Sequence, residues 1–157
     1  MDFLINRLHR RVCALWSGTR NVDESVGTGA FVLAGRRHLI ANCAHVARPF
    51  FADQEAHVVL AGGASLPCAS CSLYFCDTAL DLALIAIDTP SASYETFELS
   101  QFADVPDMRA HDFTFEHIVV CGFPGAKVGM TPKGRTMNPI IYLTEADPSQ
   151  PPTVERF

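Results

Sequence analysis

Gly27-Thr28-Gly29-Ala30-Phe31-Val32-Leu33, followed by Leu39-Ile40-Ala41-Asn42-Cys43-Ala44-His45-Val46, is the stretch that decides the fold. Two short apolar runs, each of strand length, are joined by a polar turn. The second run delivers a histidine into a setting of small residues. Ala41 and Ala44 let the chain approach closely behind the imidazole. A histidine so placed at a strand end is open to a substrate and is a candidate general base. A second signal follows 36 residues later. There Asp81 stands at the mouth of the apolar run Leu82-Ala83-Leu84-Ile85-Ala86-Ile87. A carboxylate at the start of a core strand is partly desolvated, which is costly unless it is paired. A histidine N–H is its natural partner.

Bulk composition narrows the class. The 157 residues suffice for one ordinary domain with its own core. Hydrophobic residues make up 48% and charged residues 18%, which describes a globular chain rather than a disordered one. A net charge of −5 argues against a nucleic-acid footprint. No apolar run reaches the ~18 residues that span a bilayer, so no membrane partner is expected. Met1 to Trp16 carries Arg7, Arg10 and Arg11 among its apolar residues and does not read as a signal peptide. The six cysteines follow no secreted spacing scheme, which fits reduced thiols and a cytoplasmic location.

Most of the chain reads as β. Leu4, Leu8, Val12 and Leu15 fall at helical spacing within residues 3–16. From Val26 the pattern predicts strands at 28–34, 38–42, 57–61, 71–76, 82–88, 117–123 and 139–144. They are short and punctuated by Gly, Pro, Asp or Ser, as in barrels and sandwiches. Ala44 to Arg48 reads as one helical turn stopped by Pro49. Residues 89–116 read as a long connection, and Asp147-Pro148-Ser149-Gln150-Pro151-Pro152 as a loop.

In order along the chain stand Gly27-Thr28-Gly29 with its strand, Ala44-His45-Val46, Asp81-Leu82-Ala83-Leu84 and Gly122-Phe123-Pro124. This succession resembles the landmarks of the trypsin-like (chymotrypsin-fold) serine peptidases, over roughly residues 26–125. The resemblance implies an all-β, chymotrypsin-like double β-barrel with the active site between the barrels. It assigns His45 as general base and Asp81 as the acid that orients it. It divides the chain into an N-terminal extension (1–24), a first barrel bearing both residues (25–95), a connection (96–116) and the start of a second barrel (117–157). The first barrel is expected complete and the second incomplete. The implied function is a serine endopeptidase that hydrolyses peptide bonds by acyl transfer, with a peptide or protein substrate, no cofactor and no metal. The alternative is a non-catalytic pseudoprotease that binds peptide segments or partner proteins.

The sequence departs from that pattern in two places. Asn42-Cys43 stands where the family more often has Thr-Ala. More consequentially, no Gly-x-Ser-Gly-Gly loop occurs, so the nucleophile and oxyanion hole are missing from these residues. Ser149, between prolines and far from any glycine, is a poor stand-in. The loop is expected soon after residue 157, which makes the chain the N-terminal portion of a protease. An unclosed second barrel would expose edges and an apolar face around Ile118, Val120, Ile140 and Tyr142, inviting self-association.

Other residues are weaker candidates. Asp77 and Asp88 flank the Asp81 motif as rival acids. Cys68-Ala69-Ser70-Cys71 is one close thiol pair, whereas structural zinc sites use two, so core packing is the simpler reading. Cys43, expected on the same strand two positions before His45, is poorly placed as a nucleophile. Lys127, Lys133 and Arg135 lie near glycines without the spacing of a phosphate loop.

Overall fold

The computed structural model describes residues 7–19, 22–60, 63–88, 90, 93–102, 117–122, 128–131, 134–137 and 140–145. The predicted loop at 147–152, with Ser149, lies outside the described residues, as do residues 103–116 and 123–127. No helix among the described residues is long and apolar enough to cross a membrane.

The molecule is mostly β. Strands β1 (Val12–Thr19), β2 (Val22–Ala34), β3 (Arg37–Asn42), β4 (His57–Leu60), β5 (Ser65–Pro67), β6 (Cys71–Asp77) and β7 (Leu82–Ile87) form one sheet. Its order is β5-β4-β1-β2-β3-β7-β6, and every pair is antiparallel. A short strand β8 (Phe97–Glu98) adds in parallel to Val32 and Leu33 of β2. Helix α1 (Ala44–Ala52) connects β3 to the β4 hairpin.

The connectivity forces this sheet to curl. The end strands β5 and β6 are consecutive in the chain, joined by a single 3-10 turn at Cys68–Ser70. Laid flat, seven strands would set the two edges ~29 Å apart at ~4.8 Å per gap, while that link spans at most ~14 Å. The sheet therefore bends round into an antiparallel half-barrel. Its concave side holds the core: Cys13, Leu15, Phe31, Ile40, Val58 and Ile85, closed by Ala47 and Phe50 of α1. Phe31 and Tyr94 stack at 4.2 Å between ring centroids. Gly29 is needed where β1, β2 and β3 meet. A Cβ there would stand 2.8 Å from Leu15 Cδ1 and overlap Ile40 Cγ2.

Two expectations are corrected. Val12–Thr19 is a strand, not the end of a helix, and it pairs on both sides with β2 and β4. Val12 through Ser17 are all buried, so both faces are apolar and the alternation that marks a half-exposed strand is absent. The sheet accordingly begins ahead of the boundary expected at residue 25. Helix α1 also continues through Pro49 to Ala52. A mid-helix proline loses one hydrogen bond and crowds the preceding turn, a cost of about 3 kcal/mol. Burial of Ala44, Ala47 and Phe50 against the sheet offsets it.

Beyond residue 116 the described chain forms two separate two-stranded ladders. Strands β9 (His117–Gly122) and β12 (Ile140–Glu145) pair with Val120 opposite Tyr142. Strands β10 (Val128–Thr131) and β11 (Gly134–Met137) form a tight hairpin. That makes four strands in this segment, where the sequence suggested two.

Candidate active site

The register of the sheet brings His45 and Asp81 to one place. Asn42, the last residue of β3, lies opposite Ala83 of β7. The chain leaving β3 therefore starts α1 directly beside the turn that enters β7. Asn42 is buried and its Nδ2 donates to the Thr28 carbonyl at 2.6 Å, anchoring this corner to β2. Beneath the helix, Gly27 leaves room for Val46, where any Cβ would overlap the valine side chain.

Helix α1 has no side-chain cap of its own, because its N-cap residue is Cys43. Asp81 takes over that task from the neighbouring turn. Its backbone carbonyl accepts the Ala44 N–H at 3.2 Å, and its Oδ1 accepts the His45 N–H at 2.9 Å. Two of the first amides of the helix are thus satisfied by one remote residue, whose negative charge also suits the positive helix end. The other oxygen, Oδ2, lies 2.6 Å from Nδ1 of the His45 ring. Asp81 is placed for this by an unusual backbone conformation, with φ of +51° in the left-handed region that aspartate tolerates better than most residues.

These contacts fix the protonation pattern. The His45 amide first, and then its ring, hold the Asp81 carboxyl below the usual carboxylate range. An ionised carboxylate only accepts, so the ring Nδ1 must carry the shared proton. In neutral imidazole the lone pair then resides on Nε2, and the His45 side chain is 69% exposed. The arrangement can accept a proton at Nε2 while Asp81 stabilises the resulting imidazolium.

The rival acids do other work. Asp77 Oδ1 accepts the amides of Ala79 and Leu80 at 2.8 and 3.0 Å, shaping the turn ahead of Asp81. Asp88 follows the far end of β7, where its amide bonds the Ser70 carbonyl. Cys68 and Cys71 are buried in the core wall as free thiols. Cys43 is not on β3 as expected but follows it, exposed, at the N-cap of α1. Its sulfur lies with a His45 ring nitrogen and an Asp81 oxygen in a group whose ligand atoms are all within 4.8 Å of one another. Partial desolvation, and then the Asp81 charge, push the Cys43 thiol up. The sequence signal for this third neighbour is its position two residues before the histidine, at a strand-to-helix junction.

No protein-family model matches the chain, and a search of curated proteins finds no match to it.

Proposed function

We propose that this chain carries the His-Asp half of a trypsin-like serine endopeptidase, within a chymotrypsin-like double β-barrel. In this reading the β1–β7 half-barrel is the first barrel and strands β9–β12 begin the second. The observation that carries it is the Asp81 carboxylate on Nδ1 of an exposed His45, which leaves Nε2 as the basic atom. A serine hydroxyl attacking a peptide carbonyl would give its proton to His45 Nε2, and the imidazolium would pass it to the leaving amine. Asp81 would fix the tautomer and stabilise the charge. No Gly-x-Ser-Gly-Gly motif occurs in these 157 residues. Cys13, Cys43, Cys68, Cys71 and Cys76 are free thiols, which supports a reducing compartment such as the cytoplasm.

One observation favours the second reading, a pseudoprotease that binds peptide segments. The end strand β6 exposes Leu73, Tyr74 and Phe75, apolar side chains on a sheet edge able to accept an added strand. The discriminating experiment uses the longest natural product that contains this sequence. The protease reading expects fluorophosphonate labelling and peptide hydrolysis, with kcat/KM falling by ~10⁴ or more in His45→Ala. Peptide binding without hydrolysis, unaffected by His45→Ala, would replace it with the second reading. The 157-residue chain alone should not label.

A further inference from the structure

We propose that Cys43, His45 and Asp81 together form a three-ligand site for a divalent transition ion, zinc by the chemistry of its donors. The thiol sulfur, one imidazole nitrogen and one carboxylate oxygen lie within 4.8 Å of one another. Tetrahedral zinc, with bonds of ~2.0–2.3 Å, needs its donors ~3.3–3.8 Å apart, so small side-chain rotations bring these three onto one ion. A mixed sulfur, nitrogen and oxygen set suits Zn2+ or Co2+ and is unsuited to Mg2+ or Ca2+.

The three donors stand on ordered backbone. Cys43 is the N-cap of α1, His45 is its second residue, and Asp81 ends the turn before β7. The bonds from Ala44 N–H to the Asp81 carbonyl and from His45 N–H to Asp81 Oδ1 hold helix and turn together. Oδ1 stays with the amide and orients the carboxylate, the outer support that ligating carboxylates require, while Oδ2 turns to the ion. All three residues are exposed, which gives the ion a path in and leaves the fourth position to water. Thiolate and carboxylate together balance the ion's charge; on binding the thiol proton leaves to solvent, and the ring proton moves from Nδ1 to Nε2 by exchange with water so that Nδ1 can ligate. Cys68 and Cys71, both buried, are not part of this group.

The site stands on geometry and does not rest on the peptidase reading; only its consequence does. An ion held by Asp81 Oδ2 and His45 Nδ1 takes the place of the hydrogen bond that proton transfer would use. A zinc-loaded chain and a base-competent chain are then mutually exclusive states.

The test is a titration of the reduced, chelator-treated 157-residue chain with Co2+, followed by displacement with Zn2+. The expected result is one equivalent of Co2+ with a thiolate-to-cobalt charge-transfer band and tetrahedral d–d bands, both abolished by Zn2+. Cys43→Ser should abolish the charge-transfer band, and Cys76→Ser should keep it. His45→Ala and Asp81→Asn should each weaken Zn2+ binding by at least about tenfold, with far-UV circular dichroism verifying the fold of each variant. Absence of the charge-transfer band in the folded parent chain would overturn the proposal. So would a band that survives Cys43→Ser.

Discussion

Gly27 and Val46 are in direct opposition: a strand residue without a side chain faces the isopropyl group that follows the candidate base. Any Cβ at 27 would overlap Val46, standing 2.8 Å from its Cγ2 and closer still to Cγ1. Gly27→Ala must therefore push α1 off β2, at a cost of about 1–3 kcal/mol. Val46→Ala in the same chain should recover part of that loss. Urea unfolding of the four members of the cycle measures this, with a coupling of about 0.5 kcal/mol or more expected between the two sites. An unchanged midpoint for Gly27→Ala would show that the helix is not seated as described.

Asp81 receives two hydrogen bonds from His45, one from the amide and one from the ring. Both lower its carboxyl below its ordinary 3.8. The linked stability is present above that ordinary value and is lost as pH falls through the lower, folded value. Carboxyl 13C shifts should give Asp81 a midpoint below 3.8. In His45→Ala the midpoint should rise only part of the way, because the amide of residue 45 still donates. A full return to the ordinary value would mean that the amide bond contributes nothing.

Alkaline pH should loosen the core through its thiols. Burial raises Cys13 strongly above 9.0 and pushes Cys71 up to about 11. Between about pH 9 and 11 the unfolded thiols ionise while the folded ones keep their protons. The folded state then binds more protons, so stability declines as pH rises, by up to about 1.4 kcal/mol per pH unit for each thiol. Urea midpoints under reducing conditions from about pH 7 to ~10.5 should show this decline, and Cys13→Ala should flatten it. Equal slopes in the two proteins would contradict the assignment.

Asn42 ties the candidate site to β2 through Thr28. Asn42→Ala should cost about 1–2 kcal/mol in urea unfolding. Asn42→Asp should cost more, because it sets a carboxylate against the carbonyl that the amide now meets. A fully stable Asn42→Asp would show that the bond is dispensable.

The residues that announced themselves in sequence were those whose local pattern matched their final environment. Strands β3, β4, β6 and β7 are short β-rich runs ended by turn residues, and they lie within a residue or two of the predicted spans. His45 and Asp81 were legible as a pair because each stands at the border of such a strand, and the structure brings them together. What escaped depends on tertiary context. Buried on both faces, β1 loses its alternation, while Val12 and Leu15 prolong a helical spacing that the structure keeps, among the described residues, only at 7–9. Pro49 is a stop signal overruled by the burial of Phe50. That Asp81 caps α1, and that Cys43 stands beside both site residues, follows from the register of β3 on β7 and from one backbone angle. No local pattern encodes the cap, and the spacing of Cys43 from His45 is the one local sign of the other.

The left-handed backbone at Asp81 narrows what position 81 can become. Glycine, asparagine and aspartate enter that conformation readily, whereas a β-branched residue would pay about 1–2 kcal/mol. Of the three, only aspartate brings a charge. Glutamate, the usual stand-in for an acid, meets that backbone cost and carries its carboxylate one methylene further out. Loss of the carboxylate would therefore run first to asparagine or glycine, with the turn intact and the fold unaltered in outline. A relative of this chain could lose the carboxylate contact to His45 while keeping its shape, and the identity of this single side chain would be the trace of that change.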